Sequence, residues 1–180
     1  PIAQQEQLQQ DRDTQRERSL RLDEERVETV ASEPALIDVP SDQNGASFYI
    51  KQIQLDAMPK ELSFLNKLTH KYEQKNVTVS DITNIRNAFQ RKLLDKGFVT
   101  SQVYIPEQNL NDGILQLMVI PGRVEDIRYS ESSAHGPWRT ALVVRPGDIL
   151  NIRDIEQGLE QMKRVSSQSV TMKLLPGKAI

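Results

Sequence analysis

The side chains of this chain best suited to acid–base catalysis or metal binding near neutral pH are its two histidines, His70 and His135. Either role needs partner groups at suitable spacing, and no carboxylate pattern accompanies either histidine. They also fall in different parts of the chain, so the sequence does not pair them. We therefore predict that each histidine lies at the surface or at a helix end.

The other residue types give no catalytic, metal or cofactor site. There is no cysteine, which excludes a disulfide, a thiolate nucleophile and a cysteine-based zinc site. Pro121-Gly122 and Pro146-Gly147 are single-glycine turns, unlike the glycine-rich loops that bind phosphate. A net charge of -2 gives no sign of nucleic-acid binding, which usually needs a clustered basic face. We expect a protein that is not an enzyme and binds no cofactor.

The backbone of a predicted strand at residues 98–105 is the best candidate for binding chemistry. Its side chains alternate, with Val103 on one face and Tyr104 on the other. If this strand lies at the edge of a sheet, its free amide and carbonyl groups can pair with an extended peptide. The alternative is that Phe98 and Tyr104 only cover the sheet or pack against a neighbouring module.

Seven residues form the candidate partner-binding set. Five belong to this strand, and two are arginines on the predicted helix that precedes it. For the arginines, the alternative is that they are solvated surface charges. The set is Phe98, Thr100, Gln102, Tyr104, Ile105, Arg86 and Arg91.

These residues belong to a module that the chain contains nearly twice. Shifted by 70 residues, the segment 82–92 aligns with 152–162, and the strands upstream of them align at an offset of 74. An internal period of this kind identifies the folding unit. The order in the first copy is strand, helix, helix, strand, strand, and the second copy reaches Ile180 before its last strand. We expect the chain to be part of a longer protein.

The first module begins with a strand at residues 48–55. Its apolar residues change face midway along the strand, which a bulge would explain. A helix follows from Pro59, because proline is tolerated in the first turn of a helix. The apolar stripe of this helix recurs every three or four residues. The stripe is Leu62, Leu65, Leu68 and Tyr72.

A second helix follows a turn at residues 76–79, with Ser80 or Asp81 as its predicted N-cap. Gly97 ends this helix. A turn at residues 111–113 then leads into the last strand, residues 114–120. The predicted buried face of the second helix is Ile82, Ile85, Phe89 and Leu93.

The two ends of the chain are predicted from composition and from the repeat. Residues 1–30 are rich in glutamine and mixed charge, which favours a polar helix or, alternatively, a solvated tail. The second copy should contain a strand at 124–129, a short helix with Trp138, and a strand at 170–174. Asn151 should cap its longer helix, with Leu150 packing on Ile155.

Four segments together resemble the POTRA domains of the TpsB family, the outer-membrane transporters of two-partner secretion. They are GFVTSQVYIP at 97–106, DGILQL at 112–117, VIPGRV at 119–124 and PGDILNIRDIEQGL at 146–159. The resemblance implies an α+β fold of tandem POTRA modules, each with a three-stranded mixed sheet and two helices on one face. The implied domains are a plug-like polar helix at 1–30, a linker at 31–47, a first POTRA module at 48–122 and a truncated second module at 123–180.

The resemblance also implies a function on the periplasmic side of the Gram-negative outer membrane. The chain would capture the secretion domain of an unfolded TpsA-type exoprotein by strand addition along residues 98–105 and in the groove beside helix 82–93. It would then pass the exoprotein to its own C-terminal β-barrel, which would make the only membrane contact. The alternative is a POTRA-like scaffold or chaperone module of an outer-membrane assembly or division complex. The polar N-terminal helix favours the transporter, since those other complexes have no need of a pore-filling segment.

Overall fold

The computed structural model describes residues 28–29, 46–129, 142–165 and 171–177. The chain divides into two units. The larger unit consists of Ser32–Arg128 and Val144–Arg153, and it contains the first predicted module. The other unit consists of Pro1–Ala31, Tyr129–Val143 and Asp154–Ile180. The predictions for Trp138 and His135, and those for residues 1–27 and 30–45, lie outside the described residues.

The described part of the chain contains seven strands and three α-helices, and a 3₁₀ helix at Lys60–Leu65 leads into the first α-helix. The strands are β1 (Glu28–Thr29), β2 (Ser47–Ile50), β3 (Gln52–Asp56), β4 (Lys75–Thr78), β5 (Gln102–Tyr104), β6 (Ile114–Ile120) and β7 (Lys173–Leu174). The helices are α1 (Asn66–Thr69), α2 (Val79–Asp95) and α3 (Ile152–Val165).

The predicted three-stranded mixed sheet is confirmed in the larger unit. Its strand order is β3-β6-β5, with β3 parallel and β5 antiparallel to the central strand β6. Alternate residues of β6 are buried, and Leu115, Leu117 and Val119 are fully inaccessible to solvent. Because side chains alternate across a strand, the other face of β6 is exposed. The sheet therefore has one face on the core and one open face.

The first predicted strand is in fact two strands that pair with different neighbours. β2 pairs with β4 in an antiparallel ribbon, whereas β3 pairs with β6. The break falls at Lys51, whose backbone N–H donates to the Gly113 carbonyl at 2.7 Å. This change of partner, rather than a bulge, explains why Ile50 and Ile53 are both buried despite their odd spacing. The predicted turn at 76–79 is mostly strand β4 for the same reason: β2 needs a partner.

The two helical regions of the first module have the predicted buried faces. Leu62 and Leu65 of the 3₁₀ helix are fully buried, and Leu68 and Tyr72 pack against the same core. The buried apolar face of α2 is the predicted one, Ile82, Ile85, Phe89 and Leu93.

The N-terminal end of α2 differs from the prediction, and its C-terminal end agrees with it. The N-cap is Thr78, not Ser80 or Asp81. The Thr78 hydroxyl accepts from the Asp81 N–H at 3.2 Å, and the Asp81 carboxylate accepts from the Thr78 N–H at 2.8 Å. This reciprocal capping box starts the helix two or three residues earlier than the polar pattern indicated. Gly97, with φ of +90°, follows its C-cap.

The second copy shows less regular structure than its repeat predicts. Residues 124–129 do not form a strand; the nearest pairing is an isolated bridge between Arg123 and Ile149. The Val124 N–H instead donates to the Asp148 carbonyl at 2.9 Å. The predicted cap of α3 is confirmed, since the Asn151 side-chain oxygen accepts from the Arg153 N–H at 3.0 Å.

The smaller unit is described only in part. The repeat predicts that Ile152, Ile155, Leu159 and Met162 of α3 face the core; the last three are buried, whereas Ile152 is only partly buried. Of the predicted strand at 170–174, residue 170 lies outside the described residues, and within 171–174 the strand is β7, which pairs in parallel with β1. β1 falls at the end of the predicted N-terminal polar helix, so its two residues, Glu28 and Thr29, are extended rather than helical.

Candidate functional site

β5 lies at the edge of the three-stranded sheet, as the binding hypothesis required. It is shorter than predicted, with three residues in place of eight. Residue 98 belongs to the turn that closes α2, because the Phe98 N–H donates to the Leu93 carbonyl at 2.9 Å. The Ser101 N–H in turn donates to the Phe98 carbonyl at 3.2 Å. The first half of the predicted strand is therefore a turn.

The outward backbone groups of β5 are bonded to side chains of α2. The Val103 N–H donates to the Gln90 Oε1 atom at 3.0 Å, and Gln90 Nε2 donates to the Ser101 carbonyl at 2.9 Å. Arg86 Nε donates to the Val103 carbonyl at 2.7 Å. A neighbouring strand would make the same kind of bonds to alternate residues. The expectation that this edge offers unpaired groups is thus wrong at Ser101 and Val103.

Gln90 and Arg86 are buried in this position. Gln90 has no exposed surface, and Arg86 is 6% exposed. Burial lowers the pKa of the Arg86 guanidinium from its ordinary value, while the nearby Tyr104 acts in the opposite direction. Arg86 Nη1 also donates to the Asn87 side-chain oxygen at 3.1 Å. Arg86 is therefore an internal partner of β5 and not the solvated charge that was the alternative.

The outer face of the sheet beside this edge exposes apolar side chains. Tyr104 lies opposite Met118, and Gln102 lies opposite Ile120, in the β5–β6 register. Side chains directly opposite each other on one face are in contact distance. Tyr104, Met118 and Ile120 are all exposed, so they form an apolar strip along the edge.

The remaining predicted residues are distributed around this strip. Phe98 is half-buried and stacks on Phe64, with ring centroids 5.9 Å apart. Ile105 packs against the core, and Arg91 is exposed on α2. The Thr100 hydroxyl is buried and has no hydrogen-bond partner among the residues that the structure describes. Gln102 and Tyr104 are therefore the members of the set whose side chains the sheet directs to its open face.

Two further polar side chains seal edges of the same sheet. Glu73 Oε1 accepts from the Ile53 N–H of β3 at 3.1 Å. The Gln108 carboxamide accepts from the Gln116 N–H at 2.7 Å and donates to the Gln116 carbonyl at 2.9 Å, beyond the point where β5 ends. Sequence reasoning missed Gln90, Gln108 and Glu73. The available signal was a polar residue, Gln90, directly after Phe89 on the predicted buried face.

The described residues contain no group of side chains arranged to bind a metal ion. His70 is exposed at the end of α1, as predicted, and its ring contacts Glu73 at 3.1 Å. Within the described ranges, no group of three or more histidine, aspartate or glutamate residues is placed to hold a metal ion. Among the helices described, none is both long and apolar enough to cross a membrane.

Comparison with known families assigns both modules to one domain class. Residues 48–122 match the family described as "POTRA domain, ShlB-type", and residues 123–176 match "POTRA domain". Together these matches span most of the chain and include the sheet and helices described above. The chain therefore consists largely of tandem POTRA domains.

Its relatives are transporters. The chain is 39% identical over 142 residues to the outer membrane transporter CdiB-2 of Burkholderia pseudomallei, a match over 78% of this chain and 24% of the relative. It is 39% identical over 124 residues to CdiB of Dickeya dadantii, which covers 69% of this chain and 21% of that protein. The solved structure of CdiB from Acinetobacter baumannii matches with a TM-score of 0.60 and 26% identity, over 88% of this chain and 32% of that one.

The chain belongs to the TpsB family of two-partner secretion transporters, as its ShlB-type domain and its CdiB relatives show. It spans about a quarter of the length of the curated relatives that it matches.

Proposed function

We propose that this chain is the periplasmic recognition region of a TpsB transporter. It binds the secretion domain of an unfolded exoprotein and passes it to the β-barrel pore of the same transporter. The family assignment and the outer membrane transporters among its relatives support this proposal. No catalytic step is needed, since recognition of an unfolded chain requires only backbone and side-chain contacts.

The observation that carries the proposal is the β5 edge beside the apolar strip. Among the described residues, β5 has one strand neighbour, and its other side is bonded to side chains of α2. An extended peptide can join a sheet at such an edge, with backbone bonds supplying affinity and alternate side chains supplying specificity. The side chains of an added strand would lie beside Gln102 and Tyr104 on the open face.

The other candidate residues have supporting roles in this proposal. Phe98, Thr100 and Ile105 flank the strand at its two ends, and Arg91 lies exposed on α2, the helix whose side chains bond to β5. Their contacts would extend recognition beyond the three residues of β5. Arg86 is buried, and its bond to the Val103 carbonyl occupies part of the edge that the partner would use.

Two tyrosines with matched exposure allow a direct test. Tyr104 is 49% exposed on β5, and Tyr49 is 51% exposed on β2. The wild-type chain and the variants Tyr104→Ser and Tyr49→Ser are titrated with the purified N-terminal secretion domain of a TpsA-type exoprotein from the same organism. We expect saturable binding by the wild type, a loss of about tenfold in Tyr104→Ser, as interface aromatic residues often give, and little change in Tyr49→Ser.

The outcomes separate the function from the site. If the wild type does not bind the secretion domain, the proposed function is wrong. If both tyrosine variants bind as the wild type does, the partner uses another surface and the β5 site is wrong. Binding of unfolded barrel precursors in place of the secretion domain would favour the assembly-factor alternative.

A further inference from the structure

The groups that an added strand needs are already occupied. Pairing with the outer side of β5 uses the Val103 N–H and the carbonyls of Ser101 and Val103. All three are bonded to Gln90 or Arg86 at 2.7–3.0 Å. A partner that adds to this edge must therefore break these bonds as it forms its own.

The bonds made by Gln90 identify the chemistry of a competing ligand. Its carboxamide presents one acceptor to the Val103 N–H of β5 and one donor to the carbonyl of Ser101, the residue just before β5. An extended polypeptide presents the same pair of groups along its backbone, whereas a lipid headgroup phosphate supplies acceptors only. The occupant that can replace Gln90 without leaving buried groups unsatisfied is thus an extended peptide segment.

Gln90 is bonded to this edge through its side chain and not through the backbone of α2. Its side chain reaches β5 from α2 through flexible single bonds, and Arg86 reaches the same strand from one helical turn earlier, at the i–4 position. Rotation of the two side chains would open the edge without unfolding the helix. A closed edge in the free protein also prevents β5 from pairing with another copy of the chain.

We propose that Gln90, assisted by Arg86, is a displaceable latch that competes with the exoprotein segment for the β5 edge. This inference rests on the proposed function and adds a control to the same site. The latch lowers the affinity of the site, because each incoming backbone bond replaces an existing one. A lower affinity suits a region that must release its ligand to the next part of the transporter.

The test compares two glutamines that make equivalent bonds. Gln90→Met removes the carboxamide that competes for β5, and Gln108→Met removes one that binds β6 at Gln116. Both full-length variants are titrated with the secretion domain. We expect Gln90→Met to bind about tenfold more tightly, because the partner no longer displaces two hydrogen bonds. Gln108→Met should bind within about twofold of the wild type.

The result distinguishes failure of the latch from failure of the function. If the wild type binds but Gln90→Met binds equally or more weakly, the latch is wrong and the recognition function stands. If the wild type does not bind, the proposed function fails and the latch fails with it.

A second measurement does not depend on a stable variant. In wild-type ¹H–¹⁵N spectra, the side-chain amide signals of Gln90 should shift when the secretion domain saturates the chain, and those of Gln108 should not. Unchanged Gln90 signals at saturation would overturn the latch.

Discussion

Gly97 and Gly147 share a left-handed backbone but have different surroundings. Their φ angles are +90° and +93°. A Cβ atom at Gly97 would lie 2.3 Å from Asn151 Oδ1, whereas a Cβ at Gly147 would have nothing within 4 Å. Gly147→Ala should therefore cost only the backbone term, about 1 kcal/mol. Gly97→Ala should cost about 2–3 kcal/mol, because the collision adds to the same backbone strain. Urea unfolding of the full chain measures both.

A double-mutant cycle tests whether Asn151 causes the difference. If it does, Asn151→Ala should cost less in the Gly97→Ala background than in the wild type, since the collision is removed together with the side chain. Strictly additive effects of Gly97→Ala and Asn151→Ala would contradict this explanation.

At the scale of elements, the start of α2 should make stability depend on acid pH. The N–H and hydroxyl of Thr78 both donate to Asp81, and these bonds lower the pKa of the Asp81 carboxyl from its ordinary value of 3.8. A carboxyl whose pKa is lower in the folded than in the unfolded protein stabilises the fold at any pH above its unfolded-state pKa. This stabilisation is lost as the pH falls toward the folded-state pKa. Asp81→Asn should therefore flatten the fall in unfolding free energy below about pH 4.

The control for this prediction is Thr78→Val, which keeps the shape of the side chain but removes its hydroxyl. In Thr78→Val the fall in unfolding free energy at acid pH should be reduced only partly, because the Thr78 backbone N–H still donates to Asp81. Denaturant unfolding at pH 7 and at several values below pH 4 compares the three proteins. If Asp81→Asn loses stability at acid pH as steeply as the wild type does, another carboxylate causes that loss.

The elements that could be predicted from the sequence are those whose signal is periodic. The buried face of α2 and the alternation of β6 follow from spacings of three to four and of two residues. The seal on β5 has no such signal, because Gln90 and Arg86 bond to Val103 from 13 and 17 residues away. The division at Lys51 was equally hidden, since a change of strand partner is a tertiary event. The sequence thus predicted the strands and the buried helix face, whereas the edge position of β5 was only a condition of the binding hypothesis and its occupied state was not foreseen.

At the scale of the whole molecule, the larger unit is completed by a segment that is distant in sequence. Val144–Arg153 belongs with the first module and not with the rest of its own repeat. The Ile152 N–H donates to the Gly97 carbonyl at 2.9 Å, and Asn151 Nδ2 donates to the Lys96 carbonyl at 3.1 Å. Carbonyls at a helix C-terminus lack partners within the helix. The segment therefore satisfies the end of α2.

This arrangement predicts that the first module is incomplete without the segment. A chain that begins at residue 32 and ends at residue 153 should be more stable than one that ends at residue 128. We expect a difference of about 2 kcal/mol, because the longer chain buries Val144 and Leu150 and satisfies the end of α2, at the cost of ordering the segment. Thermal and urea unfolding of the two chains measures it.

Adjacent valines provide the control for this last prediction. Val144 is 8% exposed and Val143 is 74% exposed. In the full chain, Val144→Ala should cost about 2 kcal/mol, because two buried methyl groups are lost, and Val143→Ala should cost close to nothing. The prediction is wrong if the chains ending at 128 and 153 have equal unfolding midpoints and Val144→Ala does not change stability. The segment would then contact the first module without stabilising it. If the chain ending at 153 is more stable than the chain ending at 128, and Val144→Ala in the longer chain reduces that difference, the POTRA domain at residues 48–122 depends on the second repeat for its full stability.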